Sequence, residues 1–195
     1  AIKFAGQLGK PYPELNILVA HLGGGITLSL HSKGRIIDMI SDDEGPFSPE
    51  RAGGLPGFQV IKMATSGQYD YKTMMKKVQR QGGLMAYFGT SDTRVVEEKI
   101  KAGDEEARLI LEAMAHNVAK NIGKLAVVVR GQVDGIVLTG GIAKSSLITG
   151  WISERVSFIA PVTILPGENE MESLALGTLR VLRGEEQAHT FTTGE

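Results

Sequence analysis

Three consecutive glycines, Gly23-Gly24-Gly25, follow His21-Leu22 at the end of an apolar run. Bare backbone at the end of a buried strand lets N–H groups approach an anion closely, as in phosphate loops and backbone nests. No Gly-Lys-Ser/Thr follows, so this is not a P-loop. Nor is it a dinucleotide fingerprint, because Ile26, Leu28 and Leu30 then alternate with Thr27, Ser29 and His31, the period of a strand rather than a helix. The competing reading is a strained turn with no ligand. His21 alone reads as a satisfied core histidine; beside an anion loop, its ring N–H could stabilise charge on a transferring phosphoryl group.

Three further stretches carry chemistry. Glu44 to Pro56 holds prolines, glycines and a single arginine, Arg51. A guanidinium held in such a loop suits bidentate binding of carboxylate or phosphate; the alternative is a surface arginine paired with Glu50. Gly89-Thr90-Ser91-Asp92-Thr93-Arg94 opens a helical stretch, and its plain reading is a cap by Ser91 or Asp92. Asp134 to Ala143 reads as strand, Gly140-Gly141, then helix start, a place where a nucleotide can lie against bare backbone and a helix N-terminus.

Composition excludes several classes. The 195 residues hold 21 Lys+Arg and 22 Asp+Glu, a net charge of −1, which offers nothing to nucleic acid or an anionic membrane. With no Cys, disulfides, thiolate metal sites and cysteine nucleophiles are excluded together. The four histidines include no zinc-binding helical pair. Glycine, at 25 residues, is about twice its usual share of roughly 7% and falls in clusters rather than in a low-complexity tract. No targeting segment or membrane span is visible, and the chain reads as cytoplasmic.

These residues need elements to position them. Residues 1–10 read as a helix end stopped by Gly9, Pro11 and Pro13. Asn16 to Leu22 is a buried strand, and 26–32 and 35–40 form a hairpin turned at Ser32-Lys33-Gly34. Helices are expected near 57–65, 70–80, 83–88 and 92–101. A long one runs from Asp104 to Val129, capped by Asp104 and ended by Gly131. Its stripe is Ile110, Met114, Val118, Ile122, Leu125 and Val129. A strand at 135–139, a helix near 143–155, a strand at 161–165 and a helix at 170–183 follow. That last helix carries Met171, Leu174, Ala175, Thr178 and Leu182 on one face. Strand meander first, then alternation, predicts an α/β class.

The ordered set of strand, His-Leu-Gly-Gly-Gly hairpin, Glu-Arg-Ala-Gly-Gly-Leu-Pro loop, Ser-Asp-Thr-Arg, long helix and Thr-Gly-Gly-Ile resembles the acetokinase family. That family lies within the acetate and sugar kinase/heat-shock/actin superfamily. Glu44 to Pro56, and Ser157 to Pro161 followed by Pro166-Gly167-Glu168, resemble its butyrate kinase branch. Acetate kinases carry Thr-Arg-Ser-Gly-Asp where this chain has Glu-Arg-Ala-Gly-Gly.

The resemblance implies a ribonuclease H-like, actin-like ATPase lobe: a mixed sheet built from a glycine-tipped hairpin plus parallel strands, flanked by helices. It implies that residues 1–195 are the C-terminal lobe of a two-lobe acyl kinase. Residues 1–14 would be the end of a lobe-linking helix, 15–184 the lobe and 185–195 a frayed tail, with the N-terminal lobe absent. It assigns His21 and Arg51 to catalysis, and Gly23, Gly24 and Gly25 to the phosphates. Asp92, Thr93 and Arg94 contact nucleotide, as do Gly140, Gly141, Ile142, Ala143, Lys144 and Ser145; acetate kinases have Glu-Asn at the last two. Glu170, with Glu172 as rival, is associated with Mg²⁺. The implied reaction is ATP + butanoate ⇌ ADP + butanoyl phosphate. Other short-chain acids, or a non-catalytic nucleotide-binding lobe, are the alternatives. The implied partners are a small carboxylic acid, adenine nucleotide and a second copy through this lobe. The lobe alone is expected to bind nucleotide weakly and turn over slowly or not at all.

Overall fold

A computed structural model describes residues 1–167, 170–188 and 190. The chain opens with α1 (Ile2–Leu8), stopped by Gly9 in the left-handed conformation. β1 (Ile17–Leu22), β2 (Ile26–Ser32) and β3 (Arg35–Ile40) form the expected meander. α2 (Gly57–Ala64), α3 (Tyr71–Gln79), α4 (Leu84–Phe88) and α5 (Thr93–Lys101) follow, then the long α6 (Glu105–Ala126). β4 (Gly135–Gly140), α7 (Ser146–Val156), β5 (Val162–Pro166) and α8 (Glu170–Leu182) complete the described elements.

The strands form one mixed sheet in the order β3-β2-β1-β4-β5. β1 pairs antiparallel with β2 and parallel with β4, and β5 pairs parallel with β4. Side chains alternate across a strand, so β1 and β4 feed two cores. Leu18, Ala20, Leu22, Ile136 and Leu138 face the large core under α6 and α7. Ile17 and Val137 face a smaller cluster with Phe4 and Ala5 of α1. Gly135 belongs here for space: a Cβ would strike the Phe4 ring.

Three details differ from the sequence reading. α6 buries Leu111, Ala115 and Ala119 beside Met114, Val118 and Ile122, whereas Ile110 and Val129 are only half-buried. The buried face is wider than a single stripe because the helix packs on both the sheet and α7. Its end tightens into a 3-10 turn, Val127–Val129, before Gly131 N–H closes onto the Ala126 carbonyl at 2.9 Å. After Gly141 the chain likewise makes a 3-10 turn, Ile142–Lys144, and the α-helix starts only at Ser146, capped by Ser145. The apolar face expected on α8 is exposed, with Met171 and Leu182 nearly bare; its tie to α1 is a loose ion pair, Lys3 to Glu172 at 3.7 Å. Of the expected tail, residues 189 and 191–195 lie outside the described residues. Among the described residues no helix is long and apolar enough to cross a membrane.

Candidate functional site

β1 carries His21 and Leu22 to the end of the sheet, where the chain turns through Gly23–Gly25 into β2. Gly23 N–H bonds to the Gly25 carbonyl at 3.1 Å, and this bond closes the tip. Among the described residues the amides of Gly24 and Gly25 have no protein acceptor. Two free N–H groups on bare backbone are what an anion requires. The glycines also make room for neighbours. His21 Nε2 lies 3.3 Å from where a Cβ on Gly23 would stand, and Asp42 Oδ2 lies 3.1 Å from that position on Gly25. The Glu50 carboxyl approaches Gly24 in the same way, at 3.7 Å.

The Pro/Gly loop folds over this tip. Gly54 N–H bonds to the Gly45 carbonyl at 2.9 Å, so the loop closes on itself. The Glu50 amide reaches the Gly24 carbonyl at 3.1 Å, and Ser48 Oγ donates to the same oxygen at 2.7 Å. Arg51 is not a loose surface residue. Its Nε donates to Asp42 at 2.9 Å, its Nη1 donates to the Gln79 carbonyl at the end of α3, and Glu50 stands at 3.5 Å. Its principal partner is thus Asp42, with Glu50 second.

The facing wall comes from the start of α5. Asp92 is the cap, accepting the Arg94 amide at 2.9 Å. Arg94 folds back on the same carboxylate, Nη2 to Oδ2 at 2.6 Å, while its side chain stays 86% exposed. Hydrogen bonds from the Arg94 side chain and amide hold Asp92 below the usual carboxylate range, and Asp92 pushes Arg94 above its own. The third wall is the exit of β4. Gly140 has φ +93°, and a Cβ there would strike the Leu22 carbonyl, so only glycine lets β4 end this close to the hairpin.

A cleft of about 460 Å³ lies where these walls meet. Gly23 and Gly24 border it on one side, Asp92, Thr93 and Arg94 on another. Gly141, Ile142, Lys144 and Ser145 form the third side. His21, Gly25, Arg51, Gly140 and Ala143 are not among its lining residues. Ala143 is buried in the core, whereas His21 is exposed beside the tip. The Glu170 side chain lies outside the described residues. Four lining residues were not assigned to the site by sequence reasoning: Pro49 and Glu97 were passed over, and Glu50 and Ser91 were weighed only as an ion-pair partner and a cap. Glu97 was findable, since it sits one turn beyond Thr93 on the same helix face.

Among the described residues no three His, Cys, Asp or Glu side chains converge as a metal site. Glu50 and Glu97 nevertheless border the cleft. One or two carboxylates suit Mg²⁺ that keeps its waters and arrives on substrate phosphates.

Comparison with known proteins supports the reading of the fold. An acetate kinase from Porphyromonas gingivalis superposes with a TM-score of 0.81 at 22% identity, covering 92% of this chain and 52% of its own. A propionate kinase from Francisella tularensis subsp. tularensis SCHU S4 gives 0.76 at 22% identity, with 87% and 50% covered. A ROK family protein from Streptococcus pneumoniae TIGR4, solved in complex with sucrose, gives 0.55 at 15% identity, with 94% and 64% covered. The chain therefore has the actin-like ATPase fold, and it spans about half the length of the two acid kinases. With the sequence profile of the acetokinase family matching residues 1–160, the chain belongs to that family.

Proposed function

We propose that this chain is the nucleotide-binding, C-terminal lobe of a carboxylate kinase that makes butanoyl phosphate from butanoate and ATP. The supporting observation is the convergence, on one cleft, of the glycine tip, the Asp92–Arg94 segment and the 141–145 loop. The butanoate assignment rests on the resemblance of residues 44–56 and 157–168 to butyrate kinase. Acetate and propionate remain the alternatives, in keeping with the acids named for the structural neighbours.

The chemistry asks little of covalent machinery. A carboxylate is ionised at neutral pH and is itself the nucleophile, so no strong base is needed. Its oxygen forms a bond to the γ-phosphorus as the bond to the β–γ bridging oxygen breaks, and ADP leaves with that electron pair. The lobe orients the phosphates and supplies positive potential around the equatorial oxygens. The Gly24 and Gly25 amides and the His21 ring stand at the tip for this role. Arg51 takes part by exchanging Asp42 for a substrate oxygen. Mg²⁺ borne on the nucleotide neutralises phosphate charge when bound; Glu170 is the proposed contact, with Glu50 and Glu97 available at the cleft.

Two measurements test the reading. Calorimetry on the 195-residue chain should show weak binding of ATP. A two-lobed protein carrying this chain as its C-terminal half should form acyl phosphate, trapped as hydroxamate, faster with butanoate than with acetate or propionate. Absence of ATP binding refutes the nucleotide site; a preference for another acid refutes only the substrate.

A further inference from the structure

Ser48 is a polar side chain that the proposed chemistry leaves unused. It is fully buried, at 0% exposure, yet it sits in an irregular loop. Burying a hydroxyl is costly unless it is hydrogen-bonded, and this one is satisfied twice. It donates to the Gly24 carbonyl at 2.7 Å and accepts the Arg51 amide at 3.1 Å. A hydroxyl has one proton to give, so the direction of this relay is settled: Arg51 N–H to Ser48 to Gly24. The backbone of Ser48 is held as firmly. Its N–H bonds to the Arg51 carbonyl at 3.0 Å, and its carbonyl accepts Leu84 N–H at 3.2 Å. Pro49, next in the chain, disfavours a helical backbone at Ser48.

The consequence falls on the glycine tip. With Ser48 Oγ and the Glu50 amide both on it, the Gly24 carbonyl is pulled toward the loop. In a trans peptide the C=O and the following N–H point in opposite directions. Pinning the Gly24 carbonyl therefore turns the Gly25 N–H away from the loop and holds it there. A peptide between two glycines rotates easily when nothing holds it.

We propose that Ser48 is a positioning residue that fixes the Gly24–Gly25 peptide, and with it the free Gly25 amide of the tip, for the phosphates of a bound nucleotide. The proposal rests on the nucleotide-cleft reading above and deepens it. It predicts that Ser48 affects recognition of phosphate and not of adenosine.

The test is a titration of the 195-residue chain with ATP and, separately, with adenosine, which shares the base and sugar but has no phosphate. In the unaltered protein, ATP should shift the Gly24 and Gly25 amide resonances and bind more tightly than adenosine. Ser48→Ala should leave adenosine affinity unchanged and reduce the advantage of ATP roughly five- to tenfold, the scale of one net hydrogen bond. Ser48→Cys, close in size and a weaker donor, should fall between the two and covers the case in which the alanine variant does not fold. If Ser48→Cys, or a folded Ser48→Ala, keeps the full advantage of ATP, Ser48 only packs the loop and the proposal fails. If both ligands weaken equally, the effect is general loosening and the proposal also fails. If the unaltered protein binds ATP no better than adenosine, the phosphate site itself is wrong, and the proposal falls with it.

Discussion

Gly83→Ala should be among the most damaging single-methyl changes in this chain, and its cost can be worked from the geometry. Gly83 has φ 58° and ψ −141°, in the mirror-β region open to glycine. Forcing alanine there costs about 1–3 kcal/mol in backbone strain. The added Cβ also meets the Ser48 carbonyl oxygen head-on and stands 2.7 Å from the Arg51 carbonyl oxygen. Backbone atoms cannot rotate aside as a side chain can, so α4 and the 48–51 loop must separate. The contacts at risk are Leu84 N–H to Ser48 at 3.2 Å and Met85 N–H to Pro49 at 3.0 Å. Each is worth about 0.5–1.5 kcal/mol net. Together these give about 4 kcal/mol, or roughly 8–16 °C in melting temperature for a chain of this size. Gly89→Ala is the matched control: Gly89 also has a left-handed φ, of 67°, but nothing lies within 4 Å of its Cβ position. It should cost only about 1–2 kcal/mol. Circular-dichroism melts of both variants decide the matter. If Gly83→Ala melts within a few degrees of the parent, or no lower than Gly89→Ala, the loop is not packed against α4 as described.

Two more outcomes are expected. In the two-lobed protein, Arg51→Lys should melt close to normally, because a lysine can still reach Asp42, yet turnover should fall roughly 10²–10³-fold, since one point charge cannot grip two oxygens; near-normal turnover would confine Arg51 to its structural pair with Asp42. The second outcome concerns His31, whose ring hydrogen-bonds with Tyr12 at 2.8 Å and Ser29 at 3.0 Å, and which burial pushes down from its ordinary 6.5 to about 4. The folded ring is thus neutral where the unfolded one takes a proton. Stability should be full above about pH 6.5, fall as pH drops toward 4, and level off below. For a half-buried ring the loss is about 1–2 kcal/mol. Urea unfolding at pH 7 and 4.5 reads it, and an equal slope in His31→Gln would remove His31 as the cause.

Much of the scaffold was legible because its signals are local. Asp104 caps α6 by accepting the Ala107 amide at 2.9 Å, as its place before Glu105-Glu106 suggested. The buried face of β2 followed from alternation, with Ile26, Leu28 and Leu30 all inside. The misreadings share a cause. Ala115 and Ala119 look neutral in a hydrophobic stripe, yet small side chains are what let α6 approach neighbours on two sides. Gly140-Gly141 signalled a break after a strand but not that a 3-10 turn precedes the helix. On α8, periodicity marked an apolar face correctly and could not say whether anything covers it. At the site, Arg51 stood out by type and Ser48 did not, because a serine next to a proline is ordinary until burial and two hydrogen bonds single it out.

Residue order along the chain was enough for the element types, the glycine tip, the caps and the family pattern. Each of these depends on backbone preferences or motifs spanning a few residues. Which side chains meet was decided by the tertiary structure. Gly24, Asp92 and Gly141 share one cleft because β1 pairs in parallel with β4, Ile17 opposite Gly135 and His21 opposite Thr139, across more than a hundred intervening residues. The fold of the Pro/Gly loop back over the hairpin tip puts Asp42 on Arg51 and the Gly24 carbonyl on Ser48. Parallel pairing has no turn to announce its register. It is selected by burial of both faces of β1 and β4 between α1 and α6, a balance over the whole fold that no short stretch of sequence contains.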